Sequence, residues 1–142
     1  MRIQKYLFLF LFGLWSCKGD DDVLGNQVPI LPTDLTINLN QPLYNPLTTP
    51  GGWAYVLGGS QGIVVYRLSE TEFSAFDRHC TYQVSDNCQI VMEDPTTAHD
   101  ETCCGSRFEV IFGTPVNGPA TFPLRAYNTQ YNPNANLLRI FN

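Results

Sequence analysis

Four cysteines in the second half of the chain are the residues whose types and spacing could do chemistry. Seven residues separate Cys80 from Cys88, whereas Cys103 and Cys104 are adjacent. Such a set can hold a metal ion through its thiolates, or it can form disulfides in one of three pairings. Structural zinc usually takes cysteines with about two to four residues between them, and adjacent cysteines rarely chelate one ion well. The spacing therefore does not favour a cysteine-only metal site.

Two histidines lie close to these cysteines in the sequence. His79 immediately precedes Cys80, and His99 lies four residues before Cys103. Neighbouring side chains in an extended loop diverge, so His79 is poorly placed to share a ligand site with Cys80. We expect no bound metal, and the alternative is a site built from Cys80, Cys104, His79 and His99.

No motif for nucleophilic catalysis accompanies these residues. Asp77 and His79 could orient a base, but no serine or cysteine occupies a recognisable nucleophile elbow. We expect His79 to be a polar surface residue of a loop. We also expect Asp100 and Glu101, with Glu93 and Asp94, to lie on a solvated loop face, and the alternative is a weak calcium site. The sequence therefore predicts that the protein is not an enzyme.

Short strands are the elements that must position the cysteines. Residues 34–39 (DLTINL) alternate apolar and polar side chains, which predicts a half-buried strand. Residues 53–57 and 62–68 flank a Gly-Gly-Ser-Gln turn and predict a hairpin. The Pro- and Gly-rich residues 44–52 are predicted to be a loop, and no ten-residue helical period occurs. Further strands are predicted at residues 73–76, 89–92, 107–111, 122–127 and 137–141. The fold class is therefore all-β.

The order of motifs around the cysteines resembles a Rieske domain, over roughly residues 34–142. The resemblance implies small stacked antiparallel sheets or a barrel, with two loops tied together at the position of a [2Fe–2S] cluster. In that family, Ser106 would hydrogen-bond a cluster sulfur. The motifs that carry the resemblance are Cys80-Thr81-Tyr82, Cys103-Cys104-Gly105-Ser106-Arg107-Phe108, Gly118-Pro119-Ala120 and Pro123-Leu124.

The ligands of a Rieske cluster, two cysteines and two histidines, are largely absent from this chain. The resemblance places Cys80 at the first cysteine, Tyr82 at the first histidine, Glu101 at the second cysteine and Cys104 at the second histidine. Only Cys80 matches its position. The resemblance thus implies a degenerate domain that has lost its cluster and serves as a binding or structural module. The alternative is an electron-transfer protein that carries a [2Fe–2S] cluster on atypical ligands.

The N-terminus resembles that of a bacterial lipoprotein. Arg2 and Lys5 precede an apolar run over residues 6–15, which is too short for a bilayer span of about 20 residues. The run ends at Ser16-Cys17, which resembles a lipobox. We predict a signal peptide over residues 1–16 and lipidation of Cys17. An acidic, Pro-containing tether over residues 17–33 then leads to the Rieske-like domain over residues 34–142.

The tether also carries information about location. Its first part, KGDDD over residues 18–22, resembles the acidic stretch that directs some gram-negative lipoproteins to the outer-membrane surface. We therefore predict a lipid-anchored protein of the outer membrane or cell surface, or otherwise of the periplasmic face. The membrane is the expected partner through the anchor, and the sequence does not identify a protein or small-ligand partner.

An exported location favours disulfides among the four remaining cysteines. Some Rieske proteins tie their two loops with a disulfide, and the resemblance places Cys103 at one half-cystine of that tie. It thereby implies a Cys88–Cys103 disulfide. It places Cys80 and Cys104 facing each other at the cluster position, which implies a second disulfide between them. The crossed pairing, Cys80–Cys103 with Cys88–Cys104, remains the alternative.

Composition limits the remaining function classes. The chain has 142 residues, which fits one domain, and 44% of them are hydrophobic, which argues against disorder. It carries 13 acidic and 8 basic residues, for a net charge of −5. Phosphate contacts need clustered Lys and Arg, so nucleic acid is not an expected partner.

Overall fold

Short antiparallel strands make up the fold of the computed structural model, which describes residues 27–142. The strands are β1 (Asp34–Asn38), β2 (Trp53–Val56), β3 (Ile63–Arg67), β4 (Phe73–Asp77), β5 (Ile90–Met92), β6 (Thr97–Asp100), β7 (Arg107–Glu109), β8 (Pro115–Asn117), β9 (Asn128–Asn132) and β10 (Leu137–Phe141). Two 3-10 helices occur within the described residues, at Pro42–Thr48 and Val84–Asp86. The predicted all-β class is confirmed. No helix in this part of the chain is long and apolar enough to cross a membrane.

Three sheets contain these strands in the described part of the chain. Their strand orders are β1–β10–β9, β2–β3–β4 and β5–β6–β7–β8. The first sheet brings the two ends of the domain together, because β1 pairs with β10 and places Leu35 opposite Ile140. The third sheet consists of consecutive strands, and the two cysteine loops adjoin it.

The second sheet is buried on both faces. In β3 and β4, Ile63, Val65 and Ala75 belong to the core shared with the first sheet, whereas Val64 and Phe76 belong to the core around the third sheet. This division follows from the period of two along a strand, which sends successive side chains to opposite faces. The second sheet therefore holds the cysteine-bearing third sheet against the rest of the domain.

The hairpin between β2 and β3 depends on Gly59. A Cβ at this position would collide with the Asp77 carboxylate and the Tyr127 hydroxyl, and its φ of +63° suits glycine. The Asp77 carboxylate accepts hydrogen bonds from the backbone N–H of Ser60 (2.7 Å) and Gln61 (3.1 Å). The Tyr127 hydroxyl donates a further bond of 2.8 Å to it. A buried carboxylate at the end of β4 thus fixes the predicted hairpin.

Some local predictions differ from the structure. Residues 122–127, predicted to be a strand, form an irregular segment with an isolated bridge from Ala126 to Phe76, since Pro123 has no N–H for a strand ladder. The predicted loop at residues 44–52 includes most of the 3-10 helix that begins at Pro42. The strands β6, β8 and β9 were not predicted, because their segments lack a run of alternating apolar residues.

The end of the predicted tether contacts the domain. Val28 is buried, and the Arg125 guanidinium donates hydrogen bonds of 3.0 and 2.6 Å to its carbonyl oxygen. The backbone N–H of Thr33 donates to the Asn142 side chain at 3.1 Å. The predicted signal peptide and Cys17 lie outside the described residues.

Candidate functional site

Two loops at the edge of the third sheet form the candidate site. The first loop follows β4 and is closed by a hydrogen bond of 2.8 Å from the Cys80 N–H to the Cys88 carbonyl. The second loop joins β6 to β7 and is closed by bonds from the Asp100 N–H to the Ser106 carbonyl (2.9 Å) and from the Gly105 N–H to the Asp100 carbonyl (3.0 Å). Both loops are thus shaped by their own backbone hydrogen bonds.

A disulfide between Cys88 and Cys103 joins the two loops. The Cα atoms of the two half-cystines are 6.2 Å apart, which lies within the usual range for a disulfide. This is the loop-tying pair that the resemblance implied. Because one half-cystine comes from each loop, the bond fixes the position of the second loop relative to the first.

Cys80 and Cys104 are free thiols in this structure. Their Sγ atoms are 3.8 Å apart, whereas a disulfide requires about 2.05 Å. The Cys104 thiol instead interacts with Asp100 Oδ2 at 3.2 Å and with Ser106 Oγ at 2.9 Å. The predicted Cys80–Cys104 disulfide is therefore not formed here, although the two sulfurs face each other as the resemblance implied. The crossed pairing is not formed either.

Asp100 is the residue of this site that the sequence prediction placed wrongly. Its side chain is fully buried, not on a solvated loop face. The carboxylate accepts bonds from the backbone N–H of Thr102 (3.2 Å), Cys103 (3.0 Å) and Cys104 (3.2 Å). Burial alone would raise the pKa of Asp100, but the Cys104 thiol and the N–H groups of Cys103 and Cys104 hold this pKa below its usual value.

The Cys80 side chain has no exposed surface. Burial raises the pKa of the Cys80 thiol to about 12, and the adjacent Cys104 and Asp100 contribute to the increase. The free sulfhydryl of Cys80 is therefore protonated at neutral pH. Cys104 is half-buried and lies on the solvent side of the pair.

The remaining positions of the degenerate ligand set do not join the two thiols. Glu101 is exposed, and the half-buried Tyr82 packs against the core around the third sheet. The structure therefore brings together Cys80 and Cys104 from the predicted set of four. It adds Asp100, which neighbours Glu101 in sequence but faces inward.

His79 is a buried structural residue, contrary to the expectation of a surface loop histidine. Its Nδ1 lies 2.8 Å from the Ser60 hydroxyl, and its Nε2 lies 2.8 Å from the Val84 carbonyl oxygen. A carbonyl oxygen only accepts, so Nε2 donates to it, and the Ser60 hydroxyl is the hydrogen-bond partner of Nδ1. Both ring nitrogens are engaged, which leaves His79 no lone pair for a metal.

His99 lies on β6, directly before Asp100. Successive side chains of a strand point to opposite faces, so His99 points away from the Asp100 carboxylate. Its Nδ1 is 3.9 Å from Glu93 Oε2, beside the ion pair between Glu93 and Arg107. The structure therefore does not assemble the alternative metal set, because neither histidine reaches the two cysteines.

Ser106 supports the thiol of Cys104. It is fully buried, and its hydroxyl oxygen accepts a hydrogen bond of 2.9 Å from the Ala120 N–H. The resemblance assigned this serine to a cluster sulfur, and here its hydroxyl contacts a cysteine sulfur. The residues described do not fit a Rieske cluster, which requires two imidazole ligands in addition to two thiolates.

Some solved structures resemble this chain in fold. No protein-family model and no curated protein matches the chain. A chain from a complex of reduced oxygenase and oxidized ferredoxin in carbazole 1,9a-dioxygenase is 22% identical, with a TM-score of 0.48, over 65% of this chain and 82% of that one.

Two further solved structures are similar over most of the described residues. The ferredoxin of carbazole 1,9a-dioxygenase from Nocardioides aromaticivorans IC177 is 16% identical, with a TM-score of 0.49, over 81% of this chain and 98% of that one. The putative NADH-dependent nitrite reductase small subunit from Mycobacterium tuberculosis is 16% identical, with a TM-score of 0.44, over 80% and 97% of the respective chains. With TM-scores below 0.5, these similarities carry no argument about the function of this chain.

Proposed function

We propose that this chain is a lipid-anchored, exported Rieske-like domain that serves as a binding or structural module and carries no [2Fe–2S] cluster. The observation that carries the proposal is the composition of the site. Cys80 and Cys104 face each other across 3.8 Å, and the Asp100 carboxylate lies beside them. The two loops therefore meet through thiols and a carboxylate, where a Rieske cluster needs two imidazoles as well.

The second iron of such a cluster would have no suitable ligands in the described residues. His79 is held by Ser60 and Val84, and His99 points to the opposite face of β6. Tyr82 offers a phenol oxygen, which is a hard donor and a poor substitute for imidazole. This argues against electron transfer, the alternative function, because that activity depends on the cluster.

The loops have another source of rigidity. The Cys88–Cys103 disulfide ties them covalently, and the buried Asp100 carboxylate binds three backbone N–H groups of the second loop. A disulfide that closes a loop of this length typically contributes about 3 kcal/mol. The loops can therefore keep a fixed surface shape without a cluster, as a binding or structural module requires.

Optical and paramagnetic resonance spectra of the full-length protein test this proposal. Protein purified in detergent from iron-replete cells should be colourless, and the dithionite-reduced sample should give no iron–sulfur resonance. A brown protein with a resonance that appears on reduction would overturn the proposal and favour the electron-transfer alternative.

The anchor and the location are part of the same proposal. The apolar run that ends at Cys17 and the acidic residues 18–22 support a lipid anchor at the outer membrane or cell surface. Several acyl chains on one cysteine hold a protein firmly, since each buried CH₂ contributes about 0.8 kcal/mol. A protease added to intact cells should digest the domain if it faces outward. Protection until the outer membrane is opened would place it on the periplasmic face.

A further inference from the structure

Three groups of the metal-ligand type converge where the two loops meet. The Sγ atoms of Cys80 and Cys104 and a carboxylate oxygen of Asp100 all lie within 4.8 Å of one another. Two of the three residues are fully buried, and Cys104 is half-buried. We propose that these three side chains bind a single zinc-type divalent cation, which goes beyond the expectation that the protein binds no metal.

The distances agree with tetrahedral coordination. Zinc–sulfur bonds of about 2.3 Å at the tetrahedral angle require the two sulfurs to be about 3.8 Å apart, and the Sγ atoms of Cys80 and Cys104 are 3.8 Å apart. With a zinc–oxygen bond of about 2.1 Å, the sulfur–oxygen distance should be about 3.6 Å. Cys104 Sγ and Asp100 Oδ2 are 3.2 Å apart, so they need to separate by only about 0.4 Å.

The Asp100 carboxylate is the third ligand of the proposed site. A buried carboxylate accepts hydrogen bonds, pairs with a positive group or coordinates a metal. Within residues 27–142, the hydrogen bonds to Asp100 come from backbone N–H groups and from the Cys104 and Cys80 thiols, and no Lys or Arg forms an ion pair with it. A divalent ion would bind this carboxylate directly and displace the proton from each thiol, so that all three side chains act as anionic ligands.

The donor set selects the kind of ion. Thiolates favour zinc and other soft or borderline ions over calcium and magnesium, which prefer oxygen ligands. Three protein ligands leave a fourth position of the tetrahedron, which a water molecule would fill. The Ser106 hydroxyl lies 2.9 Å from the Cys104 sulfur and would orient Cys104 as a metal ligand.

A second group of the same type does not offer a competing site. Cys88, Asp100 and Cys103 also have their ligand atoms within 4.8 Å of one another. However, Cys88 and Cys103 form the disulfide, and their sulfurs are not available as thiolates. The two cysteine pairs therefore have different roles, one as a covalent tie and the other as metal ligands.

Cobalt(II) titration of the full-length protein in detergent, after chelation and dialysis, tests the site. One equivalent should produce thiolate-to-cobalt charge-transfer absorption and intense visible bands of tetrahedral cobalt, and zinc should remove both.

Cys104→Ser should weaken cobalt binding by more than about 100-fold, and Ser106→Ala by about 10-fold, as loss of a supporting hydrogen bond does. Asp100→Asn should weaken it at least as much as Ser106→Ala. Glu101→Gln, which changes an exposed neighbouring carboxylate, is the matched control and should bind cobalt like the wild type.

Two results would overturn the metal site. The first is a wild-type protein whose cobalt spectrum lacks thiolate absorption although Cys80 and Cys104 are free thiols. Alkylation after denaturation shows whether the two cysteines are free. The second is a Cys80–Cys104 disulfide in the untreated protein, found by peptide mapping without reduction. Either result leaves the proposed function intact, because the absence of an iron–sulfur cluster is judged from iron and not from cobalt.

Discussion

Removal of the Cys88–Cys103 disulfide should destabilise the domain by a predictable amount. The two half-cystines are 15 residues apart, and a cross-link that closes a loop of about 15 residues contributes about 3 kcal/mol by restricting the unfolded chain. For a domain of about 100 residues, 1 kcal/mol corresponds to about 4 °C in the melting temperature. The Cys88→Ala/Cys103→Ala double variant should therefore melt about 12 °C below the wild type.

Urea and thermal unfolding of the full-length protein in detergent measure this effect. The double variant avoids an unpaired half-cystine that could attack Cys80 or Cys104. Thr102→Ala, in the same loop, leaves the disulfide in place and is the matched control, with an expected change within about 0.5 kcal/mol because the Thr102 side chain is exposed. Wild-type protein treated with reductant provides a second arm in which no side chain is truncated.

The double variant and the reduced wild type together test whether the disulfide stabilises the domain. If the disulfide restricts the unfolded chain, the reduced wild type and the double variant should lose similar stability. A double variant within about 1 kcal/mol of the wild type, together with an unchanged midpoint on reduction, would show that Cys88–Cys103 does not stabilise the loops. Loss in the double variant alone would instead assign the effect to packing around the buried Cys88.

Three further predictions concern other residues of the chain. Burial raises the pKa of Tyr127, and its hydrogen bond to Asp77 raises this pKa further. The unfolded state therefore loses the Tyr127 proton first, and the free energy of unfolding should fall as pH rises above about 10. Urea titrations at a series of pH values should show a smaller fall in the free energy of unfolding for Tyr127→Phe. Cys17→Ala should move the protein from the membrane to the soluble fraction, and continued membrane association without uptake of labelled fatty acid would contradict the anchor. Tyr82→His should stay colourless, because a single imidazole does not complete the ligand set; a brown, iron-containing variant would show that the site is closer to a cluster site than we infer.

The sequence predicted the elements whose conformation is determined by their own residues. The hairpin of β2 and β3 follows from β-branched and aromatic segments on either side of glycines, and Gly59 is required there by the close approach of Asp77. By contrast, β9 has five residues, four of them Asn, Thr or Gln. Its strand conformation depends on pairing with β10, which is a tertiary effect that local preference does not contain.

The site was predictable only in part for the same reason. The resemblance placed Cys80 and Cys104 face to face and linked Cys88 to Cys103. It did not indicate Asp100, which is charged, lies in an acidic segment and has the pattern of an exposed residue. Its burial results from the alternation along β6, which sends His99 to the other face, and from three backbone N–H groups that replace its hydration.

Elemental analysis of the full-length protein tests the central claim most directly. The claim is that the two loops present Cys80, Cys104 and Asp100, and not the ligands of a [2Fe–2S] cluster. Iron, zinc and acid-labile sulfide should be measured per chain in protein purified without chelator from cells supplied with both metals. The account predicts about one zinc per chain, as a tetrahedral site of this kind requires, with iron and sulfide far below one. Two irons and two sulfides per chain would contradict it.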